Sequence, residues 1–152
     1  MKNLHRIASL GVTIAALVAS GCRLPMDVPS KFLVLDRRAH EIRAMSPDQA
    51  RLLVRDLGDA KEGDLTFWSE ALKNEFQGNR GYVLVQERKV KDAAGRDGAE
   101  SLWETTLDGT AQSYLVTVFI VDDTVRAAEL LAPKPIFEKY LEDVRKAIGT
   151  LR

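Results

Sequence analysis

The 152-residue sequence holds one cysteine, Cys22, and two histidines, His5 and His40. A lone cysteine cannot close a disulfide within the chain or supply the paired thiolates of a structural zinc site. Beyond the first 21 residues His40 is the only histidine, so a metal site built on two imidazoles is excluded as well. No serine lies in a Gly-x-Ser-x-Gly setting, which removes the usual nucleophile elbow. The ten glycines fall singly, so no phosphate-cradling loop is present. Basic and acidic residues balance at 22 each, and nothing suggests the basic surface that nucleic acid would demand. No run is long and apolar enough to cross a bilayer, which takes roughly 20 residues in a helix.

What the chain does have is a distinctive start, MKNLHRIASLGVTIAALVASGC. Lys2 and Arg6 form a basic opening, Ile7 to Ala19 an uncharged and largely apolar run, and small residues follow. That is the layout of a secretory signal peptide. Ala19-Ser20-Gly21-Cys22 resembles the lipobox of bacterial lipoproteins, with alanine where that family most often has leucine. The resemblance implies cleavage before Cys22, a diacylglycerol on its thiol and acylation of the new amine. Two or more acyl chains anchor stably, since each buried methylene contributes ~0.8 kcal/mol. Arg23 is not the aspartate that resembles an inner-membrane retention signal. The expected location is therefore lipid-anchored on the outer membrane facing the periplasm, where the host has two membranes.

Residues 1–21 then form the signal, 22–30 the lipidated cysteine and an extended tether with two prolines, and 31–152 one domain. Two basic residues leave with the signal, so the remainder carries 20 against 22 acidic. Phe32 to Leu35 reads as a first strand and His40 to Met45 as a second. Ser46-Pro47-Asp48-Gln49 fits two readings. It matches a capping box opening a helix with Ala50, Leu53, Val54 and Leu57 on one side, or a tight turn into a strand with Leu52 and Val54 on one face. Asp64 caps a helix from Leu65 to about Gln77, striped by Leu65, Trp68, Leu72 and Phe76 and stopped by Gly78. A meander follows: Tyr82 to Val90 as a strand leaving the core or guarding an edge, Ser101 to Leu107, a turn at Asp108-Gly109, Ser113 to Val121 as a covered central strand, and Val125 to Leu131. Pro133 and Pro135 open a last amphipathic helix, with Ile136, Phe137, Tyr140, Leu141, Val144 and Ile148 on one arc and Gly149 at its end. The expected fold is α+β: an antiparallel meander packed with helices on both faces and closed by a C-terminal amphipathic helix.

Phe67-Trp68, Gly81-Tyr82, Tyr114-Leu115-Val116 and the closing Phe137, Tyr140, Leu141 and Ile148-Gly149-Thr150-Leu151 resemble the PsbP-like superfamily of α/β/α sandwiches. That superfamily includes Ran-binding Mog proteins and several bacterial lipoproteins. The resemblance implies a binding or assembly role and carries over no catalytic residue.

Candidate chemistry is thin. His40, among Arg37, Arg38 and Glu41, reads as an exposed histidine. Asp92 to Gly98 lacks the acidic positions of a calcium loop. Glu104 and Glu129 sit on expected strands, where solvated, ion-paired charges are the plain reading. Trp68, Trp103 and Tyr114 are candidates for an apolar groove, at spacings that also suit a core. The expectation is a non-enzymatic, lipid-anchored envelope module that binds or assembles, or else a carrier of a small apolar ligand; a hydrolase using His40 and carboxylates ranks third. Expected partners are the membrane and another envelope protein, with no cofactor.

Overall fold

Strands dominate because alternating and β-branched apolar runs outnumber helical stripes along the chain. The computed structural model describes residues 24–152; Cys22 and the signal lie outside them. The elements run β1 (Leu33–Arg37), β2 (Glu41–Met45), β3 (Arg51–Asp59), α1 (Leu65–Asn74), β4 (Val83–Lys91), β5 (Asp97–Leu107), β6 (Thr110–Val121), β7 (Thr124–Pro133) and α2 (Lys134–Ile148). A 3₁₀ turn, Ala60–Glu62, precedes α1, and a wider π-type turn, Glu75–Asn79, extends it.

The seven strands form one antiparallel sheet in the order β1-β2-β3-β7-β6-β5-β4. β4 to β7 make the expected four-strand meander, and β3 joins the sheet by pairing with β7, Leu53 opposite Glu129. The Ser46 stretch adopts the turn-and-strand alternative. Ser46 Oγ accepts from the Ala50 amide at 3.0 Å, and Leu52 and Val54 point together into the core. Burial against the sheet outweighs the local capping-box preference there.

Both tight hairpins of the meander need two residues with positive φ. Asp108-Gly109 supplies 49° and 76°, and Asp122-Asp123 supplies 48° and 58° without a glycine. Aspartate tolerates that region better than most residues.

Strand alternation feeds two core clusters. Leu115, Phe119, Leu130 and Ala132 join Phe137, Tyr140, Val144 and Ile148 of α2 in the first. Tyr114, Val116, Val118 and Val125 join Trp103 and Phe76 in the second. The side chain of Asp64 accepts from the Phe67 amide at 2.9 Å and so starts α1 as expected. The stop differs: the chain passes Gly78 in the π-type turn and turns at Gly81, φ 67°.

The expected fold class needs correction. The described residues form mostly one seven-stranded antiparallel sheet with only two α-helices among them, not a meander layered by helices on both faces. Three strands come from residues 33–59, widening the sheet beyond what two short helices can cover. α1 has no fully buried residue and meets the sheet at β5 and β6, with Lys73 paired to Glu87 of β4 at 2.9 Å, so it borders the second cluster rather than roofing the sheet.

The stretch read as a tether is docked from Leu24 onward. Leu24 and Met26 are buried in the first cluster, Arg37 donates to both of their carbonyls, and the Asp27 amide donates to Thr150 Oγ1 at 2.9 Å.

Candidate functional site

One rung of the sheet can be followed across all seven strands: Leu33, Met45, Arg51, Leu131, Tyr114, Trp103 and Leu84. At one end Leu33 is 70% exposed, while next to the other end Trp103 is 1% exposed beneath the α1 side. The cover stops partway: Val125, Ala127 and Glu129 of β7 are still buried, and the β1-β2-β3 side of this face is left open.

A cleft of about 320 Å3 occupies that boundary. Leu35, Met45, Leu53 and Leu131 give it apolar walls, and Arg43, Arg51, Arg80, Tyr82, Tyr114 and Glu129 supply its polar groups. Leu35, two residues along from Leu33, sits at the irregularity where β1 shifts register between Val34 and Asp36. Tyr82 is set by Gly81 and stacks on Phe76 with ring centroids 5.7 Å apart.

The charges on this face are largely paired. Arg43 lies 2.7 Å from Glu41, Arg80 lies 2.9 Å from Glu75, and Arg55 lies 2.9 Å from Glu129. Glu129 is buried; one of its oxygens takes Arg55 and the other the Tyr114 hydroxyl. Burial first, then the Glu129 charge and hydrogen bond, push the Tyr114 hydroxyl well above its ordinary value. It therefore stays a neutral donor at physiological pH. Both partners are committed to each other, which makes the pair a floor for a binding cleft rather than a free acid or base.

The sequence-expected residues are distributed as follows. Trp68, Trp103 and Tyr114 do meet in one cluster, with Trp103 and Tyr114 buried and Trp68 packed against them. Of the three, Tyr114 lines the open cleft; Trp103 lines a separate hollow of about 330 Å3 with Lys73, Glu87 and Arg88. His40 is 79% exposed and sits 2.9 Å from Asp56, which is also held by Arg126 at 2.7 Å. Glu104 makes an exposed pair with Lys134 at 2.7 Å. Glu129, read from sequence as a solvated or ion-paired charge, is paired with Arg55 as that reading allows but is buried. Asp92 is consumed by its own turn, accepting from the Ala94 and Arg96 amides and from Arg96 Nε at 2.6 Å. The arginines of the cleft were not singled out in the sequence. The available signal was an outward alternation of Arg43, Arg51 and Arg55 with the apolar inward positions of β2 and β3.

No family model matches the chain, and no curated protein matches it in sequence. Solved structures do match in fold. A protein of unknown function from Pseudomonas aeruginosa is 13% identical, with a TM-score of 0.54 over 99% of this chain and 95% of that one. Cyanobacterial PsbP (CyanoP) from Synechocystis is 10% identical, with a TM-score of 0.61 over 94% of this chain and 98% of that one. The Ran-binding protein Mog1p from Saccharomyces cerevisiae is 12% identical, with a TM-score of 0.57 over 81% of this chain and 85% of that one. The chain therefore carries a PsbP-like fold.

Proposed function

We propose that this protein is a lipid-anchored module of the cell envelope that binds through its open sheet face and does not catalyse. The observation that carries the reading is the cleft at the boundary between the covered and uncovered halves of one face. Its buried acid, Glu129, is held by Arg55 and the Tyr114 hydroxyl, as suits recognition better than proton transfer. The likeness in fold to a Ran-binding protein is compatible with a binding role. Anchoring rests on the lipobox-like Ala19-Ser20-Gly21-Cys22. A second reading, carriage of a small ligand with apolar parts, is favoured by the Leu35, Met45, Leu53 and Leu131 walls.

Two measurements test this. Globomycin should leave an uncleaved precursor in cells; normal maturation under the drug, or a cleaved Cys22→Ser protein that remains on the membrane, would overturn the anchoring. Affinity purification from crosslinked cells should recover a specific partner, protein or lipid, that a lipid-anchor-only control does not. Recovery of nothing specific under several growth conditions would end the binding reading.

A further inference from the structure

The cleft does not end at Leu131. A second hollow of about 440 Å3 adjoins it and shares Arg51, Tyr82 and Leu131 with it. The two differ in chemistry. The first is walled by Leu35, Met45 and Leu53 with Arg43 and Arg80 at its rim, whereas the second sets the hydrogen-bonding side chains of Gln49, Thr105 and Gln112 among the apolar Leu107, Pro133 and Ile136. Asp48 also lines the second hollow, but its carboxylate is already engaged by Lys139 and by the Tyr140 hydroxyl at 2.8 Å. It therefore presents little uncompensated negative charge to a ligand.

Arg51 stands at the junction. It is exposed and, among the described residues, has no carboxylate partner, whereas Arg43, Arg55 and Arg80 are answered by Glu41, Glu129 and Glu75. Read along the groove, the surface passes from the Leu35, Met45 and Leu53 walls to Arg51, and then to hydrogen-bonding side chains set among apolar ones. A molecule complementary to that order has an apolar chain, an anionic group and a polar head in sequence. We propose that the groove binds a single-chain anionic phospholipid, its acyl chain along Leu35, Met45 and Leu53, its phosphate at Arg51 and its head against Gln49, Thr105 and Gln112. A neutral amphiphile leaves Arg51 unanswered, and a bare fatty carboxylate leaves the second hollow unused. Arginine suits a phosphate because its planar fork can donate two parallel hydrogen bonds. The assignment rests on the binding reading and narrows it to one ligand class.

The test uses the full chain in phosphatidylcholine nanodiscs and lysophosphatidylglycerol carrying a photoreactive group in its acyl chain. Labelling should concentrate on the segments containing Leu35, Met45 and Leu53. Arg51→Glu should cut it about tenfold, as loss of a charge-assisted contact and its reversal imply. Leu35→Asp, at an exposed position that the fold tolerates, should cut it comparably. Lysophosphatidylcholine with the same chain should label far less. Equal labelling of both variants, equal labelling by the two lipids, or labels scattered over other surfaces would overturn the proposal. A protein crosslinked specifically to this face while lipid labelling fails would also overturn it, yet leave the binding reading standing.

Discussion

Tyr114 on β6 donates its hydroxyl to Glu129 on β7, and the pair is buried at the point where the cover over the sheet stops. Tyr114→Phe removes the donor and leaves one buried carboxylate oxygen unanswered, so it should cost about 1–3 kcal/mol in urea denaturation. The same pair sets an alkaline limit. The folded-state pKa of Tyr114 lies above its ordinary value of 10.0, by burial first and the Glu129 charge second. Its contribution to stability is thus complete below about pH 10 and declines as the pH rises beyond it, because only the unfolded chain then releases the proton. Tyr114→Phe should flatten that decline; an unchanged alkaline slope would separate Tyr114 from it.

Asp56 sets a corresponding acid limit. Burial opposes its ionisation, but hydrogen bonds from Arg126 and His40 outweigh that and hold its pKa below the usual 3.8. Stability from this group is present above about pH 3.8 and is lost as the pH falls through the lowered folded value. The two partners contribute unequally. Arg126 is 11% exposed and bonds Asp56 at 2.7 Å, so Arg126→Ala strands a nearly buried carboxylate and should cost about 3 kcal/mol. His40 is 79% exposed, and His40→Ala should cost no more than about 0.5 kcal/mol. Equal costs in chemical denaturation would contradict this division.

Arg37 ties the first described residues to the domain by donating to the carbonyls of Leu24 and Met26 at 3.2 and 3.3 Å. Arg37→Ala should destabilise the domain by about 1–2 kcal/mol. It should also speed hydrogen exchange over residues 24–32 before any change in β6 or β7, since the core strands open last. Exchange that rises uniformly over the chain would mean the segment is not separately held.

These residues mark where sequence reasoning reached and where it stopped. Elements with a strong period, such as α2 with Phe137, Tyr140 and Val144, were legible because one face alone could be buried. So was the hairpin at Asp108-Gly109, whose residues state their own φ. The strand at 51–59 was open to two readings because Leu52, Leu53 and Val54 satisfy either period. Pairing with β7, a contact over 70 residues away, decides it. The cleft was illegible for a related reason. Arg51, Tyr82 and Leu131 are distant in sequence, and only the strand order brings them together. Likewise the burial of Glu129 follows from Tyr114 and Arg55 on neighbouring strands, which no local pattern around Glu129 announces. The two prolines between Leu24 and Ser30 read as an extended tether, and no local pattern tells that Leu24 and Met26 are buried in the core.

Gly98 offers the sharpest packing test. It pairs across β5 and β6 with Phe119, and a methyl group added there would lie 2.3 Å from the ring, which is itself fully buried. The backbone of Gly98 needs no left-handed conformation, so the constraint is space rather than φ. Gly98→Ala must therefore move Phe119 or the strand, at about 1–3 kcal/mol for overpacking. Phe119→Leu shortens the side chain and opens room, at its own cost for the lost contacts. If steric overlap is the cause, Gly98→Ala should cost clearly less in the Phe119→Leu background than in the native one, a favourable coupling between adjacent residues. Additive costs in the double-mutant cycle would show that the ring does not set the requirement for glycine.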